Sequence, residues 1–491
     1  MVPATPGWGS PSLQIHQDSE CPMDRSYLLA IRISFVIKSA QASAVTPAKC
    51  DRCGVETNIP ETFIRERKSF RRSIGIYCPP CWQKRQNRVY GWLYISNGAL
   101  GIGGLMLLLA ESTRPAGFVL TNLCLLTLFE VTSVLPHELA HAWVGERVGL
   151  RVFRLIIGHG RPVFRRMLWR YDTEFRSIPL GGLTLAAHTH KRAFRVRQFA
   201  FVLAGPLVNG ALAASMLLFM PLEELWQFHR LEQGIYPGQM FFFANAVLLM
   251  ASLWPHEMAT ALGRTPSDGK LLFRTLFLKP DTMDQQHAAW FAGEGAICHE
   301  KGEHADAQAW FEKGLAVYPY QPHLLNWLGV VCIESQQYEK ARDCFVKLLD
   351  RPDTAPAFRS LLLNNIAYAD VLLGGSERIT EADRFSREAM ATLGWVPAIK
   401  GTRGTVLIES GRIEEGLGLL HEAMAATEST SDKAQNACWI AMGEARMGNL
   451  IASQRYLDQA RQLDARCNLL ERAGAVLRHA ELGRAGPGVA E

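Results

Sequence analysis

The segment HELAH at residues 137–141 sets two histidines four residues apart with a glutamate beside the first. On a helix that spacing puts both imidazoles on one face, where they can reach one metal ion. Glu138 then sits next to the ion, placed as general base to take a proton from water that zinc has activated. The same residues would also fit a helix that packs two histidines against a polar neighbour. Their position favours chemistry: the motif closes a long apolar run, where ionisable groups are expensive and usually mark function. Catalytic zinc needs a third protein ligand and an open position. The best candidate is Asp268 in RTPSDGKLL, although Ser-Asp-Gly is also a common turn sequence. A second constellation, CDRC at 50–53 and CPPC at 78–81, offers four thiolates. Such knuckles suit a structural zinc held tetrahedrally by Cys50, Cys53, Cys78 and Cys81 in a zinc-ribbon-like unit.

These groups must be held by elements that the rest of the sequence describes. A chain of 491 residues implies two or more domains. Four apolar runs occur, at Tyr90–Ala110, Ala116 to about Trp143, Gln198–Leu222 and about Pro237–Pro255. A buried core helix could explain one run of this length but not four, so about four membrane spans are expected. Between Arg147 and Arg197 there are twelve Lys or Arg and two acids, whereas LEELWQFHRLEQGIY after the third run is acidic on balance. By the positive-inside rule the Cys-rich unit, the middle loop and both termini are cytoplasmic. On that topology HELAH and Asp268 lie at the cytoplasmic ends of the second and fourth spans, at a common depth. A reducing cytoplasm also suits the thiolates, and eleven cysteines without a regular framework exclude a disulfide-rich secreted class. Residues 151–190 alternate apolar and polar positions between Gly and Pro, which predicts a few β-strands near the membrane face. His159, His188 and His190 fall in this loop and are expected to be solvated. His256 and Glu257 stand near the exit of the fourth run, within reach of a supporting role at the metal.

With HELAH (137–141), IPLGG (178–182), AGPLVN (204–209) and SDG (267–269) in that order, the chain resembles the site-2 protease family of intramembrane zinc metalloproteases. The matching stretches cover roughly residues 90–275. The resemblance implies that His137, His141 and Asp268 ligate a catalytic Zn2+, that Glu138 is the general base, and that the substrate is a membrane protein cut in or near a transmembrane segment. It also gives Asn209 a catalytic role, toward substrate or a developing oxyanion; helix packing with Gly205 and Pro206 is the alternative. Two features depart from the family pattern. Ser252 stands where an Asn-x-x-Pro asparagine is often found. Pro136 removes a backbone donor immediately before His137, which should loosen the helix there.

After Asp268 the pattern changes to helix pairs. KGEHADAQAWFEKGLAVYP (301–319) aligns with SQQYEKARDCFVKLLDRPD (335–353) at an offset of 34, with Ala307 on Ala341 and Phe311 on Phe345. Later units place Ala382, Gly416 and Ser453 at the close-packing position. This period is the tetratricopeptide signature, predicting four to five units stacked as a solenoid with a partner-binding concave face. The expected fold is therefore mainly α: a polytopic membrane protein with a small β-containing cytoplasmic loop and a C-terminal α-solenoid. Its divisions are an uncertain N-terminus (1–45), the ribbon-like unit (46–89), the protease core (90–275), the repeats (276–480) and a tail (481–491). Residues 23–44 loosely resemble a signal peptide, but Arg32 and Lys38 interrupt the apolar part. The basic run RERKSFRR (65–72) precedes the first span, so lipid head groups rather than nucleic acid are its expected counter-charge. The competing function is a catalytically silent membrane scaffold that binds partners through its repeats.

Overall fold

The computed structural model describes residues 48–57, 64–67, 74–260, 263–352 and 354–484. The expectations for residues 1–45, for 68–72 of the basic run and for the tail after 484 fall outside these. Two short antiparallel hairpins, β1 (Ala48–Lys49) with β2 (Glu56–Thr57) and β3 (Ile64–Arg67) with β4 (Ile74–Tyr77), build the Cys-rich unit. The second knuckle runs directly into α1 (Pro79–Leu107), whose first positions are prolines, where a helix needs no backbone donor.

Helix α2 (Arg114–Arg147) returns alongside α1. Small residues let the two approach: a side chain on Gly104 would collide with Leu120 and Thr121, and one on Gly117 with the Gly104 carbonyl. Helix α3 (Phe194–Ser215) and helix α4 (Pro237–Leu253) pack against α2 and against each other. Among the described residues, α2 and α3 with its short extension to Leu218 are long and apolar enough to cross a membrane, while α4 is apolar but 17 residues long. The four apolar runs of the sequence thus correspond to four helices, two of which meet the length and composition of a span. Helix α2 continues through Pro136.

The loop between α2 and α3 is a folded β-hairpin of long strands, β5 (Leu150–Leu168) and β6 (Tyr171–His188). It doubles back on itself. Leu155–Ile157 pairs with Gly182–Thr184 and also with Thr173–Phe175. Positive-φ glycines at 158, 160 and 181 make the bends. Val152, Leu155 and Tyr171 bury against Ala142 of α2, so the sheet sits on the helix that carries HELAH.

A short hairpin, β7 (Glu257–Thr260) with β8 (Gly263–Pro266), connects α4 to α5 (Asp268–Leu276). The repeats follow as five antiparallel helix pairs, beginning with α6 (Pro280–Glu300) and α7 (His304–Val317) and ending with 430–446 and 450–463, plus a last helix over 470–484. Ala307, Phe311, Ala341, Phe345, Ala382 and Ser453 are wholly buried and Gly416 is buried, as the repeat alignment requires. Helix α6 rests on the β-hairpin. The Phe153 ring occupies the space a side chain on Gly293 would need, Arg151 pairs with Glu294 at 2.9 Å, and Arg154 bridges Asp172 at 2.7 Å and Glu300 at 2.8 Å.

Candidate active site and metal centres

His137 and His141 lie one helical turn apart on α2, with ring centroids 4.8 Å apart and their Nε2 atoms 3.1 Å apart. Asp268 enters from the first turn of α5, its Oδ2 3.2 Å from His137 Nε2 and its Oδ1 3.7 Å from His141 Nε2. Ligand atoms of a tetrahedral zinc with bonds of about 2.0–2.1 Å stand roughly 3.3 Å apart, so these spacings fit one ion. The hydrogen bonds around the rings give the same answer. His137 Nδ1–H donates to Asn209 Oδ1 at 2.5 Å and His141 Nδ1–H to the Phe201 carbonyl at 2.7 Å. With both protons on Nδ1, two lone pairs face each other across 3.1 Å beside a carboxylate, an arrangement that a cation satisfies.

Asp268 is positioned by its neighbours. Ser267 caps α5, donates to the Trp254 carbonyl at 2.6 Å and accepts the His256 amide at 3.1 Å, which ties the start of α5 to the end of α4. A side chain on Gly269 would overlap the Leu253 carbonyl, so the two backbones are in direct contact there. Between Pro255 and Asp268, β7 pairs with β8 and brings Ser267 back beside His256, whose carbonyl accepts the Ser267 amide at 3.0 Å. Burial pushes the Asp268 carboxyl up, but the adjacent His137 and His141 outweigh this and hold it below the usual carboxylate range.

Glu138 is 5% exposed, with its side chain against the backbone of Gly182. Thr184 Oγ1 donates to Glu138 Oε2 at 2.7 Å, which leaves Oε1 free. Asn209 is fully buried and uses both ends of its amide, since its Nδ2 also donates to Asn245 Oδ1 at 3.0 Å. Gly205 completes the wall: a Cβ there would lie 2.3 Å from His141 Nε2 and 2.5 Å from His137 Nε2.

The sequence reading anticipated His137, Glu138, His141, Asn209 and Asp268, and the fold brings them together. It missed Thr184, Gly205 as a contact of the two histidines, and Asn245. Asn245 was detectable as a lone amide in the apolar run FFFANAVLL. The Ser252 hydroxyl bonds the Leu249 carbonyl of its own helix. His188 corrects the expectation of solvated loop histidines. It is 1% exposed, stacks on Phe194 and bonds Gln198 at 2.7 Å, because the loop is a folded sheet with an interior. His256 bonds the Trp254 carbonyl and Glu257 pairs with Lys270 and Arg274, away from the histidine pair.

The ligand atoms of Cys50, Cys53, Cys78 and Cys81 all lie within 4.8 Å of one another. Burial pushes Cys50 up, but backbone amides of Cys53, Cys78 and Arg52 overcome it and bring the thiol down to about 6. Burial raises Cys81 to about 11. Cys50, Cys78 and Cys81 form a small core with Val55 and Ile76, against which Trp395 of the repeat array packs.

A model of peptidase family M50 matches residues 125–457, two thirds of the chain. The chain is similar to the regulator of sigma-E protease RseP of Salmonella typhimurium, 33% identical over 106 residues that make up 18% of this chain and 23% of that protein. It is 36% identical over 88 residues to the regulator of sigma E protease of Haemophilus influenzae, covering 15% of this chain and 20% of that one. The similarity therefore spans under a quarter of the length of these curated relatives. Among solved structures, a thermophilic tetratricopeptide protein of Thermus thermophilus aligns with 39% of this chain and 99% of its own, at 18% identity and a TM-score of 0.32.

Proposed function

The chain belongs to peptidase family M50, and on that premise we propose that it is an intramembrane zinc endopeptidase that hydrolyses peptide bonds in or near transmembrane segments of membrane proteins. The observation that carries the reading is the meeting of His137, His141 and Asp268, which are 131 residues apart at their extremes, beside a buried Glu138. Zinc held by these three residues would supply Lewis acidity to activate water and polarise the scissile carbonyl. Glu138 accepts the water's proton at Oε1 as the water oxygen bonds to the carbonyl carbon. It then delivers that proton to the departing amide nitrogen as the C–N bond breaks. Thr184 holds the carboxylate in place through its other oxygen. Asn209 orients His137, and Asn245 orients Asn209, so both act through the ligand and not on the substrate. Gly182 and Gly205 let the sheet and the third helix come directly against Glu138 and the two histidines.

We place four spans and both termini on the cytoplasmic side, from the charge of the loops. The Cys-rich unit takes a second, structural zinc. The repeats recruit a protein substrate or regulator. Glu138→Gln tests the central step. On a single-span reporter protein reconstituted with the enzyme in liposomes, zinc content should hold while cleavage falls by about 100-fold or more. Equal cleavage by variant and wild type would refute the protease and leave the membrane scaffold.

A further inference from the structure

The first junction of the repeat array carries a cluster that the protease chemistry does not use. His299 stands at the end of α6, His304 is the first residue of α7, and Glu334 is the last residue of the next helix, Pro322–Glu334. Their ligand atoms lie within 4.8 Å of one another. His299 Nε2 is 2.7 Å and His304 Nδ1 is 3.2 Å from the same oxygen, Glu334 Oε2. His304 Nδ1 is buried and makes no hydrogen bond, despite that short distance to a carboxylate. A nitrogen that faces a carboxylate oxygen at the wrong angle for an N–H donor is placed as a lone pair sharing a cation would be. The edge of Trp327 shields His299, with ring centroids 5.5 Å apart.

The repeat itself provides the comparison. One period of 34 residues further on, the same three positions are Ile333, Tyr338 and Tyr368. These pack against the apolar core of the array. The next junction is therefore closed by an apolar plug, while this one substitutes two imidazoles and a carboxylate. Such a substitution forfeits apolar burial and gains little from hydrogen bonds alone, since one of its nitrogens has no hydrogen-bond partner.

We propose that His299, His304 and Glu334 form a third metal site, for a first-row divalent ion such as zinc, that clamps the first repeat to the second. Two imidazole nitrogens and one carboxylate suit zinc, cobalt or nickel and leave a position for water. The clamp has a structural consequence because Glu300, adjacent to His299, is the residue that Arg154 and Arg165 of the β-hairpin hold. The ion thus fixes the end of the helix on which the hairpin rests.

The test is metal content of the full chain in detergent, loaded with zinc and desalted, measured by mass spectrometry against protein concentration. His304→Ala and Glu334→Gln should each hold about one equivalent less than wild type. A third variant guards against misfolding: His299→Ile with His304→Tyr and Glu334→Tyr installs the residues of the next junction. It should fold, keep the other zinc sites and lack the same single equivalent. Wild-type zinc content in that triple variant would overturn the proposal.

Discussion

Replacing Thr184 by valine probes the role proposed for Glu138 while leaving His137, His141 and Asp268 untouched. Valine keeps the β-branched shape that the strand prefers and nearly the same volume, so the fold around a residue 9% exposed changes little. What is lost is one hydrogen bond, 2.7 Å from Thr184 Oγ1 to Glu138 Oε2. The hydroxyl also lies 3.1 Å from the Glu138 carbonyl, but its single proton serves the shorter, charged contact. A hydrogen bond to a charged group contributes about 1.5–3 kcal/mol. If all of it serves to hold the carboxylate for proton transfer, kcat/KM falls about 10- to 150-fold, at roughly 1.4 kcal/mol per tenfold. The assay is initial cleavage of the single-span reporter in liposomes, with zinc counted on the same samples. Thr184→Ser, which restores the hydroxyl, should recover most of the rate. A valine variant that cleaves at the wild-type rate, or a serine variant as slow as valine, would refute this role for Thr184.

Gly205→Ala should remove the catalytic zinc outright, because the new Cβ falls within 2.5 Å of both histidine Nε2 atoms; metal content would drop by about one equivalent, and an unchanged count would show that the helices can separate there. Burial holds His188 at about 4, against roughly 6.5 in an unfolded chain. The unfolded state alone takes up that proton as pH falls, so this stabilisation is complete above about pH 6.5 and fades toward pH 4, with roughly 2 kcal/mol lost by pH 5. Melting curves at pH 7 and pH 5 should therefore differ less for His188→Phe, which keeps the stacking on Phe194, than for wild type.

Much of the site was legible because its residues are chemically conspicuous. HELAH stands out in an apolar run, and Asp268 stands out as an acid in SDG just after the fourth run; the fold sets its carboxylate 3.2 Å from His137. What the sequence concealed were supporting contacts made by ordinary residues. Thr184 looks like one more strand residue in TLAAH until the doubled-back sheet sets its hydroxyl on Glu138. The Phe201 carbonyl that orients His141 is a backbone atom and leaves no trace in residue type. Gly205 was noticed as a packing residue, but its proximity to both imidazoles depends on how closely α3 crosses α2. Repeat positions were readable for the opposite reason: Ala307 and Phe311 recur at a fixed period, so their burial follows from pattern alone.

The seat of α6 on the β-hairpin gives the molecule a lever. The helix is pinned near its start, where His287 bonds the Thr189 carbonyl and Lys191 pairs with Asp284, and again at its end through Glu300. Those anchors are separated by most of a helix of 21 residues, about 30 Å long. Strand β6, which leads into Thr189 and Lys191, also carries Gly182 and Thr184. The first helix of the repeat array and the strand whose Thr184 bonds Glu138 are therefore joined through one sheet, so a displacement of that helix is carried to the residue that holds Glu138.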